Sequence, residues 1–268
     1  MDQEQRLDYL IGELAKDSGM YERLKAGEAD KRRLLRSLMN VRMPGELPPR
    51  LLKVQDEYLQ EETAQKGIVS VEEILTVKEE FGSRIRHADK ISVWQGDITR
   101  ISADAVVNAA NSQMLGCFVP CHGCVDNAIH SAAGMQLREE CFRIMQKQGH
   151  EEPQGKAKTT QGYNLPCRYV LHTVGPVICG ILREEDCMAL RSCYQSCMEA
   201  AEEKQLASIV FCCISTGEFH FPNERAAKIA MDTVLTFLDR ESSIKRVIFN
   251  VFKEKDRDIY RKLVTCSS

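Results

Sequence analysis

The sequence predicts an α/β protein in which helices cover both faces of a mostly parallel sheet. From about residue 84, strand-like apolar runs alternate with helical segments, which is typical of parallel strands joined by crossover helices. Polar loops follow several of the apolar runs, and ligands bind at this edge of such sheets. The first 80 residues differ, since their apolar side chains recur only at helical spacing.

Residues 1–80 are therefore predicted to form an all-helical extension, and residues 81–268 to form the main domain. Helical spacing runs through LDYLIGEL, KRRLLRSLMNVR and LPPRLLKVQDEYLQEE, and the proline-containing MPGELPP separates the last two. The basic stretch KRRLLR is interpreted as a solvated helix face. Two roles remain open for the extension, namely packing support for the main domain and recognition of a partner.

The elements of the main domain follow from the period of their apolar residues. The predicted strands are KISVWQGDI, DAVVNAA, CRYVLHTVGP, SIVFCCIST and RVIFNVF. The predicted helices are DNAIHSAAGMQLREECFRIMQ, CMALRSCYQSCMEAAEEKQ, NERAAKIAMDTVLTFLDR and KDRDIYRKLV. Parallel strands bring their carboxyl ends to one edge, so the loops GDIT, NAANS and ISTGEFHFP are expected to lie close together.

Composition excludes several classes of protein. A formal net charge of -3 and the lack of a long basic run argue against a nucleic-acid binder. No signal peptide or apolar run of transmembrane length is present, so a cytoplasmic location without membrane contact is expected. Such a location needs no disulfide framework, and most of the twelve cysteines are interpreted as buried packing residues.

One cysteine cluster is an exception, because its neighbours are glycine, proline and histidine. The stretch GCFVPCHGCVDN contains Cys117, Cys121, His122 and Cys124 just before a predicted helix start. Thiolates and an imidazole at this spacing can hold zinc. The spacing leaves two arrangements open, a three-ligand site with a free position and a four-ligand site closed by Cys121. The free N–H groups at the helix start behind the loop would favour an anion.

Polar residues at the predicted strand ends are candidates for ligand contacts. Asp97 could accept a hydrogen bond from an amine, or could cap a turn. Asn108 and Asn111 could bind sugar hydroxyls, or could serve turn geometry. The scattered histidines are more readily explained as structural than as functional residues; these are His130, His172 and His220.

The loop after SIVFCCI is a candidate phosphate site. Its small residues could cradle phosphate through backbone N–H groups and hydroxyls, although the Gly-Lys-Ser/Thr of a Walker loop is missing. Phe219 or Phe221 could stack on a sugar or base, and both could equally belong to the core.

Four motifs occur in an order that resembles the macrodomain family. They are QGDITR, AVVNAANS, VDNAIHSAAG and ISTGEFHFP, and the resemblance covers roughly residues 84–265. It implies a three-layer α/β/α fold with a mixed, mostly parallel central sheet. It also implies binding of ADP-ribose, which many macrodomains hydrolyse from proteins.

One departure from the usual macrodomain pattern indicates a particular subfamily. GCFVPCHGC stands where the hydrolase branch usually has a glycine-rich run. This resembles the zinc-containing macrodomains of microbial ADP-ribosyl-hydrolases, which also carry a helical N-terminal extension. The resemblance implies one Zn²⁺ per chain, held by Cys117, His122 and Cys124, with Cys121 as a bystander.

The resemblance also implies roles for individual residues. It places Asp97 on the adenine amine with Ile98 beside it, and Asn111 and Asp126 at the distal ribose as the catalytic pair. Phe219 would pack against that ribose. The remaining expected ADP-ribose contacts are Cys117, Asn127, Ser215, Thr216, Gly217 and Glu218.

The implied function is removal of mono-ADP-ribose from modified protein side chains. The alternative is a non-catalytic ADP-ribose reader in which zinc only shapes the pocket. Expected partners are ADP-ribose and mono-ADP-ribosylated proteins, with a lipoylated carrier protein as a candidate, since family members are often encoded beside lipoylation proteins. Neither nucleic acid nor a membrane is expected.

Overall fold

The central sheet of the protein has six strands, five of which are parallel. The computed structural model describes residues 1–16, 22–23 and 30–265. Across the sheet the strand order is β2–β8–β7–β4–β6–β5, and only β5 runs antiparallel to its neighbour. The strands are β2 (Ile91–Gln95), β4 (Ala105–Ala110), β5 (Ala157–Gln161), β6 (Tyr169–Val174), β7 (Ser208–Phe211) and β8 (Arg246–Val251).

The sequence forms these strands because their residues suit burial on both faces. Every residue of β7 is buried, as are all but one residue of β4, β6 and β8. Continuous apolar runs are typical of such central parallel strands. The edge strand β5, with the sequence AKTTQ, has one fully buried residue, and the sequence analysis missed it.

Nine helices occur in the described residues, and five of them form two groups on the sheet. The helices α7, α8 and α9 pack in series, whereas α5 and α6 pack on each other and contact β4 and β5. This confirms the α/β fold with a mixed, mostly parallel sheet. The helices are α1 (Gln3–Lys16), α2 (Lys31–Val41), α3 (Pro49–Lys66), α4 (Val77–Phe81), α5 (Val125–Ala133), α6 (Met135–Gln148), α7 (Glu184–Glu203), α8 (Asn223–Leu238) and α9 (Glu254–Thr265).

The stretch from 126 to 146, predicted as one helix, is two helices. Gly134 separates α5 from α6 with φ 97° and ψ 174°, a conformation that side-chain-bearing residues strongly disfavour. Its N–H still donates to His130 O, and its own carbonyl accepts from Leu137 N. The break therefore changes the direction of the chain while most backbone hydrogen bonds are kept.

The helices α1, α2 and α3 build their own apolar cluster. Its buried members come from these three helices, apart from Met135 at the start of α6. Val69–Ser70, the two-residue strand β1, pairs with β3 (Ile101–Ser102), and Val71 joins the core around the sheet. The first helices thus form a separate layer, whereas the segment after Lys66 already packs with the sheet. The boundary at residue 80 stays a prediction.

The interpretation of KRRLLR as a solvated face is wrong in part. Its first three residues are exposed, but Leu34 and Leu35 are buried in the cluster, and Arg36 is half-buried. Helical spacing explains this, because successive residues of α2 are rotated by about 100° around the helix axis, so one turn includes both exposed and buried positions.

Two further predictions about the whole chain can be compared with the structure. None of the described helices is long and apolar enough to span a membrane. No disulfide links the cysteines in the described ranges, and six of them are buried, as expected for packing thiols.

Candidate active site

A single cleft of about 700 Å³ lies at the carboxyl ends of β2, β4, β7 and β8. Each strand continues into a loop at this edge, so four separate segments of the chain supply most of the walls. Nearly all residues singled out in the sequence line it: Asp97, Ile98, Asn111, Cys117, His122, Cys124, Asp126, Ser215, Thr216, Gly217, Glu218 and Phe219. Asn127 lies behind the wall.

Residues 116–124, the metal loop, bring three candidate ligands together. One ligand atom each of Cys117, His122 and Cys124 lies within 4.8 Å of the others, and all three residues are half-buried. His122 Nδ1 is buried and takes no hydrogen bond from the described residues. Burial raises the pKa of the Cys124 thiol. Two thiols and an imidazole at this separation match the soft donor set that zinc prefers.

The fourth candidate, Cys121, points away from this cluster. Its Sγ lies 3.2 Å from Ser37 Oγ and 3.3 Å from Arg33 O, both on α2. Its backbone has φ 49°, an uncommon conformation for a residue other than glycine. Cys121 therefore attaches the metal loop to α2 and does not belong to the three-residue set.

Asp126 is held at the floor of the cleft by two asparagines. Its Oδ1 accepts from Asn108 Nδ2 at 2.8 Å, and its Oδ2 lies 3.4 Å from Asn111 Nδ2. Asn108 is fully buried and also lies 3.1 Å from His172 Nδ1, while Thr160 Oγ1 lies 2.9 Å from His172 Nε2. Asn108 is thus a support for Asp126 and does not line the cleft, whereas Asn111 does.

Burial sets the ionisation of the groups beneath the cleft. It raises the pKa of Asp126 to about 6, an effect that the Asn108 hydrogen bond and the Arg138 charge partly oppose. It also lowers the pKa of His172 to about 3 and that of His130 well below its usual range. Both histidines are therefore neutral near pH 7.

The two buried histidines differ in their hydrogen bonding. His172 has partners at both ring nitrogens. His130 has none with hydrogen-bond geometry among the described residues, although its Nε2 lies 3.5 Å from Asp126 Oδ1. This contact is not an ion pair at neutral pH, since the His130 ring carries no charge. His220 is exposed.

Asp97 uses only one carboxylate oxygen in its turn. Oδ1 accepts from Thr99 N at 3.0 Å and Thr99 Oγ1 at 2.7 Å, which caps the short 3-10 helix Ile98–Arg100. Oδ2 takes no hydrogen bond from the described residues. The cap interpretation is therefore confirmed for one oxygen, and the other remains an acceptor at the cleft wall. Ile98 is buried beside it.

Residues 215–219, the phosphate loop, form a tight turn after β7. Ser215 adopts φ 63°, and its buried Oγ has no hydrogen-bond partner among the described residues. A side chain at Gly175 would collide with this hydroxyl, because an added Cβ would lie 2.0 Å from it. Phe221 belongs to the core, whereas Phe219 lines the cleft.

The comparison with known proteins decides the family. A protein-ADP-ribose hydrolase of Treponema medium is 47% identical over 267 residues, covering 99% of this chain and all of that protein. The macro domain model matches residues 107–230. The chain belongs to the macro domain family.

Two further similarities extend over most of the macrodomain and its extension. A protein-ADP-ribose hydrolase of Staphylococcus aureus is 41% identical over 260 residues, covering 96% of this chain and 94% of that protein. The structure of a Trypanosoma brucei macrodomain in complex with ADP-ribose superimposes with a TM-score of 0.66 at 30% identity, covering 88% of this chain and 97% of that one.

The macrodomain cleft also contains residues that sequence reasoning missed. Phe252, Lys253 and Asp256 follow β8, and Phe252 is 75% exposed. Their position after a strand was a usable signal, since every other parallel strand near the cleft supplies a loop. Arg36 lines the cleft as well, but it comes from α2, and no motif of the sequence marks it.

Proposed function

We propose that this macrodomain removes mono-ADP-ribose from modified protein side chains, with one zinc ion held by Cys117, His122 and Cys124 near the distal ribose. The observation that carries the proposal is the convergence of these three ligands in the cleft that also holds Asn111 and Asp126. The similarity to protein-ADP-ribose hydrolases supports the same activity.

The residues present fit such an ion. The donors are two sulfurs and one nitrogen within 4.8 Å of one another, and His122 Nδ1 is a buried polar atom without a partner in the described residues. Three protein ligands leave a position free, which is characteristic of catalytic zinc. When bound, zinc supplies a Lewis acid that can polarise a ribose oxygen or lower the pKa of a water.

The side chains of the cleft bind and orient the substrate. Asp97 Oδ2 accepts from the adenine amine, and the phosphate loop surrounds the pyrophosphate with backbone N–H groups and the free Ser215 hydroxyl. Asn111 and Asp126 fix the distal ribose through hydrogen bonds, while Asn108 prevents the carboxylate from rotating. Holding the reacting groups in place lowers the barrier by several kcal/mol, about 7–11 in well-oriented model reactions.

In the reaction, water adds across the bond between the anomeric carbon and the linking atom of the modified side chain. The water oxygen ends on the anomeric carbon, and one of its hydrogens goes to the released side chain. The products are free ADP-ribose and the unmodified protein. A lipoylated carrier protein is included as a candidate target.

The experiment separates this hydrolase from an ADP-ribose reader. Release of ADP-ribose from a mono-ADP-ribosylated protein is measured in single turnover, and ADP-ribose affinity by calorimetry, on wild-type and folded His122→Ala protein. Loss of turnover far beyond the loss of affinity is expected, because interactions made in the transition state affect the rate constant. Intact affinity without any turnover in the zinc-loaded wild type would favour the reader.

A further inference from the structure

The metal loop is hydrogen-bonded to the N-terminal helical layer as well as to its own domain. Arg36, on α2, is the centre of this contact. Its Nε and Nη2 donate to Asn127 Oδ1 at 3.1 and 2.6 Å, and Nη2 also donates to His122 O at 3.3 Å. Since the two residues are 91 positions apart, only the tertiary fold brings them together.

Asn127 transmits this contact to the rest of the metal loop. It is fully buried, and its Nδ2 donates to Val119 O at 3.0 Å and to Cys117 O at 3.4 Å. Its backbone N–H points at Cys124 Sγ, 3.4 Å away. The Arg36–Asn127 pair therefore touches the backbone or the sulfur of all three candidate ligands.

A second set of contacts fixes the loop next to Cys121. Asn40, also on α2 and 1% exposed, accepts from Cys121 N at 2.9 Å and donates to Ser131 Oγ at 3.0 Å. Arg138 connects the loop and the helix from the other side, donating to Leu115 O at 2.7 Å and Met39 O at 2.9 Å. The loop is thus held by the C-terminal half of α2, through Arg36 and Asn40.

The charge of Arg36 suits this place. Within the described ranges it has no carboxylate partner, although it lines the cleft beside two thiols. A planar guanidinium can hold two acceptors in a fixed geometry, which a lysine cannot do. Outer-shell partners of this kind orient the ligands of a metal, and their loss typically weakens metal binding about 10–100-fold.

We infer that Arg36 is a positioning residue for the metal ligands, so that the N-terminal helical layer is an integral part of the catalytic site. The inference rests on the proposed function for the identity of the ion. The ordering of residues 116–124 by Arg36 does not depend on a bound ion. It gives the helical layer a function beyond packing support, without requiring a further partner.

The test uses Arg36→Gln and the milder Arg36→Lys in the full chain. Arg32→Gln is the matched control, because Arg32 is on the same helix, is 59% exposed and faces Glu62 instead of the cleft. The first measurement is hydrogen–deuterium exchange over residues 116–124 in metal-free protein. Faster exchange is expected in Arg36→Gln, an intermediate rate in Arg36→Lys, and the wild-type rate in the control.

The second measurement is the release of Zn²⁺ from loaded protein to a chromogenic chelator, together with the visible spectrum of the Co²⁺-substituted protein. Release about 10–100-fold faster and an altered Co²⁺ spectrum are expected for Arg36→Gln, a smaller change for Arg36→Lys, and wild-type behaviour for Arg32→Gln. Wild-type exchange in Arg36→Gln would overturn the inference, and so would faster exchange with unchanged metal release. If wild-type protein takes up no zinc, the proposed function fails, and exchange alone then decides whether Arg36 positions the loop.

Discussion

Two cysteines of the metal loop, four positions apart, differ in their surroundings. Cys117 shares a cluster with His122 and Cys124, whereas Cys121 faces Ser37 on α2. We expect Cys117→Ser to lose most of its zinc, because a hydroxyl is a poor substitute for a thiolate ligand. Cys121→Ser should keep about one zinc per chain. Elemental analysis of both purified proteins measures this.

The opposite pattern would contradict the ligand assignment. Near-full zinc in Cys117→Ser, or loss confined to Cys121→Ser, would place the metal elsewhere in the loop. Circular dichroism of both variants verifies that neither result comes from unfolding.

A conservative substitution of Asp97 can separate the roles of its two carboxylate oxygens. Asp97→Asn keeps an acceptor for Thr99 and therefore the turn, but places an amide where the adenine amine would donate. A lost hydrogen bond of roughly 1–2 kcal/mol corresponds to about tenfold weaker ADP-ribose binding. Calorimetry gives the affinity, and the melting temperature should stay at the wild-type value. Unchanged affinity would remove Asp97 from the adenine site.

Sequence reasoning succeeded for residues next to strand ends and failed for those placed by tertiary contacts. Asp97, Asn111 and Ser215 follow parallel strands, so the fold class alone brings them to one cleft. Arg36 lies on an ordinary amphipathic helix, and only its contact with Asn127 makes it a site residue. Nothing in the sequence around Arg36 distinguishes it from an arginine that is exposed to solvent.

At the scale of elements, two discrepancies have local causes. The edge strand β5 has the sequence AKTTQ, in which only Ala157 is apolar. No alternation of apolar and polar residues therefore marks it as a strand. The helix predicted over 126–146 has a continuous helical period, and a glycine within a helix is tolerated often enough that Gly134 alone does not mark a break. Its backbone conformation becomes evident only when α6 packs against Gln55 of α3.

Gly134 should be among the least replaceable residues where the macrodomain contacts the helical layer. A Cβ there would lie 2.6 Å from the Nε2 of the buried Gln55, in a backbone conformation that costs about 1–3 kcal/mol for other residues. Gly149 is the matched control, because it has φ 76° at the end of α6 with no atom within 4 Å of an added Cβ. We expect Gly134→Ala to lower the free energy of unfolding more than Gly149→Ala, which should cost about 1–2 kcal/mol. Urea denaturation of both variants measures the difference, and equal losses would show that Gln55 moves aside freely.

At the scale of the whole molecule, the buried histidines link stability to pH. The pKa of His172 falls from 6.5 to about 3 on folding. Below pH 6.5 the unfolded chain therefore binds a proton that the folded protein rejects, and the free energy of unfolding falls with decreasing pH, by about 1.4 kcal/mol per pH unit for one such group. His130 adds to this loss in the same direction.

His172→Gln should bind about one proton fewer than the wild type when it unfolds below pH 6.5. Its unfolding free energy, measured by urea denaturation of metal-free protein between pH 7.5 and 5, should fall less steeply than that of the wild type. His150→Gln, the same substitution at an exposed position, is the control variant. Parallel slopes for wild type and His172→Gln would mean that the ring is already protonated in the folded protein.

The attachment of the metal loop to α2 has a consequence for how such a loop can be inherited. Transferred alone into a macrodomain without the helical layer, residues 116–124 would bring their three donors but neither Arg36 nor Asn40. The transferred loop would be flexible, and a metal bound to it would exchange rapidly with the solvent. The metal loop and the helical layer should therefore be inherited together. Transfer of the proposed metal site to another macrodomain requires two segments that are far apart in the gene.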